Sequence, residues 1–411
     1  MIHMTRKKRF CGLVLAVLFM MSTGFIAAQD KTLVVWHSYR GKEKDAIVKL
    51  IDTFNQKVAK GYKAKPLAIP YDAYADKVTA AVPRGKGPDV FIFAQDRLGG
   101  WIEAGNTVEP LDFFLEDDMS DQFVGGTWDA MVYQDTVYGL PFNYKCITMI
   151  YNKAIIKSPP KTSSELVKVA KQHTDAGAGK YGLAYSYGDF FYHAALMNGF
   201  GGGVFDAGKP TLDRSENVAA VNLMMKWFKK DGIMPEEPST ALITSLFNSG
   251  KAAIVFNGPW FLGEIDPSID YELAMLPKLD EMGGKPMRPW MTVEGLYIAG
   301  PSKMKDEAFE FISFATTVEA AKIMATIGRQ TPTLKEVYNL DEVKNDKILA
   351  GLMDQARMGI PMPNRPEMTM VWSPATTAMN SIIKGSATPE QAFKTAQEQV
   401  EKDVARLRKG N

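Results

Sequence analysis

Several side chains that could do chemistry lie together directly after the first apolar run that follows the N-terminal segment. Residues 36–40 read WHSYR and follow Leu33-Val34-Val35. An imidazole, a phenol and a guanidinium so close together could form a catalytic cluster. They could equally form a binding mouth, or be an ordinary strand end. The rest of the chain has to decide between these interpretations.

Motifs that would support catalysis or cofactor binding are missing. The sequence has no phosphate-binding Gly-rich loop with Lys-Ser/Thr and no Gly-x-Ser-x-Gly elbow. His37, His173 and His193 do not form a His-Glu-x-x-His pair, and Cys146 has no cysteine partner at zinc-ligand spacing. Residues 199–203 resemble a dinucleotide fingerprint only superficially, because no buried strand directly precedes them. We therefore expect no catalytic residue, no metal and no cofactor.

Aromatic residues beside polar ones, at the ends of predicted elements, are the positive signal. Sugars present C–H faces that stack on rings and hydroxyls that take hydrogen bonds from Asp, Arg or Lys, so this mixture suits a carbohydrate cleft. The instances are Trp36 with Tyr39 and Arg40, Phe93 with Asp96 and Arg97, Asp189 with Phe190 and Phe191, Trp260 after Asn257-Gly258-Pro259, and Trp372 after Met362 and Met370.

The elements that must position these residues alternate between strand and helix. β-branched and aromatic runs predict strands, and apolar residues at three- and four-residue steps predict amphipathic helices. Such alternation implies an α/β fold with mixed sheets covered by helices. The predicted strands are 32–36, 63–69, 89–93, 147–151, 181–185 and 252–256, and the predicted helices are 44–58, 74–82 and 218–229.

Two further helices are predicted from their capping residues. Thr316 with Glu319 has the spacing of a capping box before residues 320–327, and Gly328 stands where a helix stop is expected. Thr388-Pro389 predicts the start of the last helix. No low-complexity linker separates the two α/β units, so we expect short, structured crossings between them.

The N-terminal 28 residues have the pattern of a cleaved secretory signal peptide. A basic run at 6–9, an apolar stretch at 12–21 and small residues before Gln29 support this reading, with an uncleaved anchor as the alternative. Cleavage leaves 44 basic and 47 acidic residues, a net charge of −3. This balance gives no footprint for nucleic acid, and a single remaining cysteine, Cys146, permits no intrachain disulfide. We expect a periplasmic globular protein.

A series of short motifs, in order and spacing, resembles the maltose/maltodextrin-binding proteins. These form the carbohydrate branch of the extracellular solute-binding proteins that serve ABC importers. The resemblance extends from about residue 31 to the last helix. The motifs are Leu33-Val34-Val35-Trp36, Gly87-Pro88-Asp89-Val90, Asp96-Arg97-Leu98-Gly99-Gly100, Leu140-Pro141, Ile150-Tyr151-Asn152-Lys153, Pro159-Pro160-Lys161-Thr162, Asn257-Gly258-Pro259-Trp260 and Met362-Pro363-Asn364.

The resemblance implies two α/β lobes that close on a sugar by a hinge motion. The N-terminal lobe would comprise 29–142 and 296–343, and the C-terminal lobe 148–291 and 347–405. Residues 143–147, 292–295 and 344–346 would be the hinge segments. The implied partners are an oligosaccharide and the membrane permease subunits of an ABC transporter, and we expect a monomer.

The resemblance also implies a set of ligand-binding residues. Asp96 and Arg97 match sugar-hydroxyl ligands directly, and Asp189 would also bind hydroxyls. The other members are the aromatic or cleft-lining positions Phe93, Phe190, Phe191, Trp260, Trp372 and Met362, together with Ser38, Tyr39, Arg40 and Lys145 near the first strand and the hinge.

Some of these positions depart from the family pattern. Arg40-Gly41 stands where the maltose binder has Asp-Lys, Lys145 replaces a glutamate, and Ser373 and Thr376 replace a tyrosine and an arginine. The two cations could serve the same sugar from new positions. They could instead select trehalose, another disaccharide or an anionic, phosphorylated sugar. A third interpretation makes both of them solvated rim charges.

Two classes of function compete. The first is a periplasmic binding protein for maltose or maltodextrin-like sugars that feeds an ABC permease. The second is a glycoside hydrolase, which needs two carboxylates about 5 Å apart, or about 6.5 to 9.5 Å apart for inversion. The resemblance places Asp96 and Asp189 on opposite lobes as ligands for hydroxyls, so we favour the binding protein over the enzyme.

Overall fold

The computed structural model describes residues 31–116, 118–236 and 238–410. The signal peptide expected over residues 1–28 lies outside these ranges. The strands are β1 Lys31–His37, β2 Tyr62–Ala68, β3 Val90–Ala94, β4 Val132–Tyr133, β5 Thr136–Val137, β6 Leu140–Lys145, β7 Thr148–Asn152, β8 Tyr181–Ala184, β9 Phe205–Asp206, β10 Lys209–Pro210, β11 Ala252–Asn257, β12 Tyr271–Ala274, β13 Lys278–Leu279, β14 Lys285–Pro286, β15 Trp290–Ile298, β16 Thr331–Pro332 and β17 Ile360–Pro361.

Helices cover these strands. They are α1 Gly41–Lys57, α2 Tyr71–Ala81, α3 Leu98–Glu103, α4 Ser163–Gln172, α5 Phe190–Gly199, α6 Ser215–Met225, α7 Thr240–Asn248, α8 Pro259–Leu262, α9 Lys305–Ala315, α10 Val318–Thr326, α11 Asp341–Lys344, α12 Lys347–Arg357, α13 Met368–Ile383 and α14 Pro389–Gly410. A short π-helix, Lys226–Lys230, continues α6. The mixed α/β fold expected from the alternating pattern is confirmed.

The first large sheet has the strand order β16-β6-β15-β3-β1-β2, with β17 beside β15. β1 is parallel to both β2 and β3, and β15 is antiparallel to β3 and β6. The carboxyl ends of parallel strands meet at one sheet edge, where open α/β sheets bind their ligands. The segments after His37, Ala68 and Ala94 therefore share one edge.

The second sheet has the order β12-β7-β11-β8. β8 and β11 are parallel, and Ala184 pairs in register with Val255, so these two strands also end at a common edge. The strand interiors are buried: all six residues of β11 and all five of β7 lie inside. This continuous burial is typical of strands covered by helices on both faces.

The chain passes from the first sheet to the second between β6 and β7, at Cys146-Ile147. It returns through β15, whose first residue Trp290 packs in the core of the second unit and whose later residues pair with β3. The crossings are structured and short, as expected. The lobe boundaries and hinge segments given above stay predictions.

The two capping predictions had different outcomes. Helix α14 begins at Pro389, and Thr388 and Gln391 exchange side-chain and backbone hydrogen bonds of 3.3 Å, so this start is confirmed. The capping box on Thr316 is wrong by one residue. The side chain of Thr317 accepts from the Ala320 amide, and α10 starts at Val318. Thr316 instead donates to the carbonyls of Ile312 and Ser313 at the end of α9.

A carboxylate joins the last two helices. Glu367 directly precedes α13 and accepts two hydrogen bonds from Arg365, at 2.8 and 3.1 Å, and one from Arg408 of α14 at 3.2 Å. Burial alone would raise the pKa of Glu367, but the two arginines lower it from the usual 4.5 to about 2. The ionised carboxylate therefore stabilises the folded state.

Replacing Glu367 by glutamine should lower the free energy of unfolding at pH 7 by on the order of 1–3 kcal/mol. The pKa is lower in the folded chain, so the stabilisation is complete above about pH 4.5 and is lost as the pH falls towards about 2. The gap between variant and wild type should shrink over that interval. Urea unfolding at a series of pH values measures this difference in free energy of unfolding. Glu336→Gln, at an exposed position, is the control. A gap independent of pH would contradict this role.

Candidate ligand-binding cleft

The edges of the two sheets face each other, and the segments after their strands form the walls between them. Gln95–Arg97 follows β3, and Phe191 is the second residue of α5, the helix that follows β8. Contacts join the two walls at several places: the amide of Gly99 donates to the carbonyl of Asn364 at 2.9 Å, and Gln95 donates to the carbonyl of Met362 at 3.0 Å. A cleft between the lobes results.

One wall carries a chain of aromatic rings. Trp260 lies 6.0 Å from Phe191, Phe191 lies 6.4 Å from Trp290, and Trp290 lies 5.6 Å from Trp372, measured between ring centroids. Trp290 is buried, whereas the other three rings are only partly buried. The partly exposed rings provide apolar faces of the kind that stack against a ligand. Trp260 and Trp372 are the two end members of this chain.

At the Trp372 end, a hydrogen bond crosses between the lobes. The Nε1 of Trp372 donates to Oδ2 of Asp96 at 2.9 Å, and the guanidinium of Arg97 lies 5.9 Å from the Trp372 ring. Burial raises the pKa of Asp96, although Arg97 and Trp372 oppose that rise. The Nε of Arg97 is buried and has no hydrogen-bond partner among the residues described. It lies 3.2 Å from Asp96, so the site keeps an unused donor beside a carboxylate.

Tyr71 and Asp189 face each other across the cleft. Tyr71, the first residue of α2, is 62% exposed. Partial desolvation raises the pKa of Tyr71, and Asp96 and Asp189 raise it further. The Asp189 carboxylate accepts from the Phe191 amide at 2.9 Å and caps α5. Partial desolvation also raises the pKa of Asp189, against that hydrogen bond and together with Asp72.

A buried charged cluster lies beneath the first wall. Lys145, at the end of β6, donates to Glu43 at 2.8 Å and lies 3.0 Å from Glu294 of β15. Tyr39 donates to the other oxygen of Glu294 at 2.7 Å and accepts from Asn143 at 3.3 Å. Burial alone would lower the pKa of Lys145, but Glu294 and Glu43 raise it. Burial raises the pKa of Glu294, against the attraction of Lys145.

The sequence matches the family described as bacterial extracellular solute-binding protein over residues 49–351, well over half of the chain. The chain belongs to this family. A maltotriose-binding protein of Pyrococcus abyssi (strain GE5 / Orsay) is 33% identical over 387 residues, which are 90% of this chain and 82% of the relative. A galactooligosaccharide-binding protein of Bacillus subtilis (strain 168) is 27% identical, covering 90% of this chain and 89% of its own.

A solved structure extends the similarity to three dimensions. The crystal structure of a cyclo/maltodextrin-binding protein complexed with maltotetraose is 30% identical to this solute-binding protein and superposes with a TM-score of 0.76. It covers 91% of this chain and 97% of the other. The two-lobed architecture expected from the motifs is thereby confirmed.

Not every aromatic position predicted for the cleft lines it. Phe93 is 5% exposed and lies between two tyrosines, with its ring 4.9 Å from Tyr74 and 5.5 Å from Tyr71. Both faces of Phe93 are therefore covered, and Tyr71 presents its ring to the cleft instead. Phe190 is fully buried and packs against Trp290, so it supports the wall from behind.

Met362 is also buried and contributes its backbone carbonyl to the contact with Gln95 rather than a cleft surface. Trp260, Phe191 and Trp372 remain partly exposed where the prediction placed them. The ligand contacts predicted for these rings stay predictions.

The cations predicted near the first strand are engaged with carboxylates. Lys145 is 7% exposed, so its interpretation as a solvated rim charge is wrong. Tyr39 is also buried, and its hydroxyl is used by Glu294. Arg40 lies at the rim, with Nε 2.6 Å from Oε1 of Glu264 on the other lobe. Ser38 is half-buried.

Some site residues were missed in the sequence, although signals for them existed. Tyr71 follows β2, which runs parallel to β1, so it stands at the same sheet edge as Ser38 and Arg40. The sequence predicted that this helix starts at Tyr74, so Tyr71 was not recognised as its first residue. In the structure, α2 begins at Tyr71. Glu43 and Glu294 had no such signal: they are remote in sequence and meet only through Lys145.

Two negative findings apply to the part of the chain that the structure describes. Within it, no group of three His, Cys, Asp or Glu side chains is placed to hold a metal ion. None of its helices is both long enough and apolar enough to cross a membrane.

Replacing Lys145 by methionine should leave Glu43 and Glu294 buried without their cation. Breaking a buried ion pair from one side typically costs about 3–5 kcal/mol, so we expect a loss of that order in the free energy of unfolding. Lys153→Met, at a partly exposed ion pair with Asp270, is the matched control and should cost less than about 1 kcal/mol. Urea unfolding of both variants measures the two losses in free energy of unfolding. Equal, small losses would show that Lys145 does not hold the cluster.

Proposed function

We propose that this protein captures a neutral maltodextrin-like oligosaccharide in the cleft between its lobes and delivers it to an ABC import permease. The observation that carries the proposal is the wall of partly exposed rings, Trp260, Phe191 and Trp372, with Asp96 and Arg97 at one end. Rings stack on the apolar faces of glucose units, and the charged pair hydrogen-bonds hydroxyls.

The pairing of charges in the cleft favours a neutral sugar over an anionic one. Arg40 is matched by Glu264, and Lys145 is matched by Glu43 and Glu294. A phosphate would have to displace these carboxylates to reach either cation. Asp96 and Asp189 would repel a phosphate, whereas both accept readily from hydroxyls. This argues against the phosphorylated sugar that the two cations first suggested.

The relatives support a maltooligosaccharide in particular. The relative from Pyrococcus abyssi is named for maltotriose, and the solved structure similar to this one is bound to maltotetraose. The relative from Bacillus subtilis is named for galactooligosaccharide, so β-linked galactosides are the alternative to test.

Delivery would use the two-lobed architecture. Contacts between the lobes at both ends of the ring wall, Arg40 with Glu264 and Asp96 with Trp372, form when the lobes are close together. A ligand that binds better between closed lobes shifts the population towards the closed form, which a permease can then recognise. Capture and closure break no covalent bond of the sugar, and we assign no catalytic residue.

A calorimetric titration tests the ligand. Maltotriose and maltotetraose should bind, maltose more weakly, and glucose 6-phosphate and a β-galactooligosaccharide should bind least. Bound maltotriose at 100 times its Kd should stabilise the fold by about 2.7 kcal/mol. Tight binding of the galactoside or the sugar phosphate, with none of maltotriose, would overturn the proposed specificity.

Two exposed rings provide a matched pair of variants. Tyr71→Ala should weaken maltotriose binding roughly tenfold, because it removes a ring from the cleft. Phe113→Ala, at a residue 99% exposed beside α9 and away from the cleft, should leave the affinity unchanged. Titration calorimetry compares them. An equal effect of both variants, or none for Tyr71→Ala, would show that the ligand does not use the Tyr71 ring.

A separate experiment tests the alternative hypothesis that the protein is a glycoside hydrolase. Purified protein incubated with maltotriose should release no glucose or maltose over hours, as detected by chromatography. Release that Asp96→Asn or Asp189→Asn abolishes would replace the binding function with an enzymatic one.

A further inference from the structure

An ion pair joins the two lobes at the rim of the cleft. The Nε of Arg40, which precedes α1, lies 2.6 Å from Oε1 of Glu264, which follows α8. The other carboxylate oxygen of Glu264 accepts from the hydroxyl of Thr244 at 3.1 Å. The side chains are 51% and 23% exposed, so the pair is partly open to solvent.

The backbones beside this pair also meet. Gly41 has a φ of +49°, and a Cβ at this position would lie 3.4 Å from the carbonyl oxygen of Gly263. A Cβ on Gly263 would lie 3.2 Å from the amide nitrogen of Lys42. Gly263 thus allows segments 40–42 and 263–264 to approach closely at this point. The ion pair and this backbone contact together form a seam between the lobes.

The seam stands at one end of the ring wall. Glu264 follows the end ring Trp260 by four residues, and Trp260 donates to the hydroxyl of Tyr192 at 3.3 Å. Burial and Asp189 raise the pKa of Tyr192, and Arg40 and Glu264 are both close enough to act on the same hydroxyl. The opposite end of the wall is bridged by Asp96 and Trp372.

We propose that the Arg40–Glu264 pair is a determinant of chain length: it blocks the Trp260 end of the cleft, so that a bound oligosaccharide must stop short of it. This inference rests on the proposed function. Arg40 then acts through Glu264 and not as a ligand for the sugar. Short chains gain from the closed seam, whereas longer chains must open it to extend past Trp260.

Variants that remove one or both charges test the pair as a unit. We would measure Kd for maltotriose and maltoheptaose with wild type, Arg40→Gln, Glu264→Gln and the double variant. Each single variant should shift the ratio of the two affinities towards maltoheptaose by up to about fivefold, the size of an exposed ion pair, and the double variant no further. Exchange of the charges, Arg40→Glu with Glu264→Arg, should restore part of the original ratio. Lys57→Gln, which breaks a pair within one lobe, should leave the ratio unchanged.

The possible outcomes distinguish a failure of this inference from a failure of the proposed oligosaccharide-binding function. Loss of maltotriose affinity in Arg40→Gln but not in Glu264→Gln would make Arg40 a direct ligand and overturn the proposal. An unchanged ratio in every variant, with normal maltotriose binding, would also overturn it and leave the proposed function intact. A wild type that binds neither sugar would overturn both.

Discussion

The buried ammonium of Lys145 is the interaction on which the centre of the molecule depends. It ties the start of α1, through Glu43, to the strand β15, through Glu294, and it stands on β6 just before the chain crosses to the second sheet. Two carboxylates on one buried cation would be costly unless their remaining oxygens were satisfied. Tyr39 satisfies one of them. Three segments remote in sequence are thereby held in one geometry at the floor of the cleft.

The two sheets build the cleft by the same rule applied twice. In each sheet, parallel strands bring the segments after their carboxyl ends to a common edge. The first sheet supplies hydrogen-bonding groups there, Asp96 and Arg97, and the second supplies rings. Tyr71 also places a ring at the first edge, and Asp189 places a carboxylate at the second. In the proposed function, a ligand that contacts both edges would be held fully only when the lobes are close together.

The sequence predicted the elements better than the surfaces they present. The apolar periods of β1, α1 and α14 identified these elements to within a few residues, because burial of one helical stripe or a whole strand leaves a direct trace in residue order. Phe93 shows the limit of that trace. Its match to a cleft position of the resembling family predicted a cleft ring, yet Tyr71 and Tyr74, from a separate helix, cover both its faces. Which ring lies outermost depends on packing between elements that residue order does not record.

Arg40 and Lys145 show that residue order also does not record the partners of charged side chains. This affects what can be inferred about ligand specificity. Arg40 and Lys145 looked like a cationic surface because their partners Glu264, Glu43 and Glu294 lie far away in the chain. In the structure, each of these cations lies against at least one carboxylate. What remains for a ligand is a set of acceptors, Asp96 and Asp189, and the donor of Arg97. In the proposed function, such a site would distinguish ligands by the positions of their hydroxyls and by the length that fits between its ends. The pairing of the rim charges would then set that length without either charge contacting the sugar.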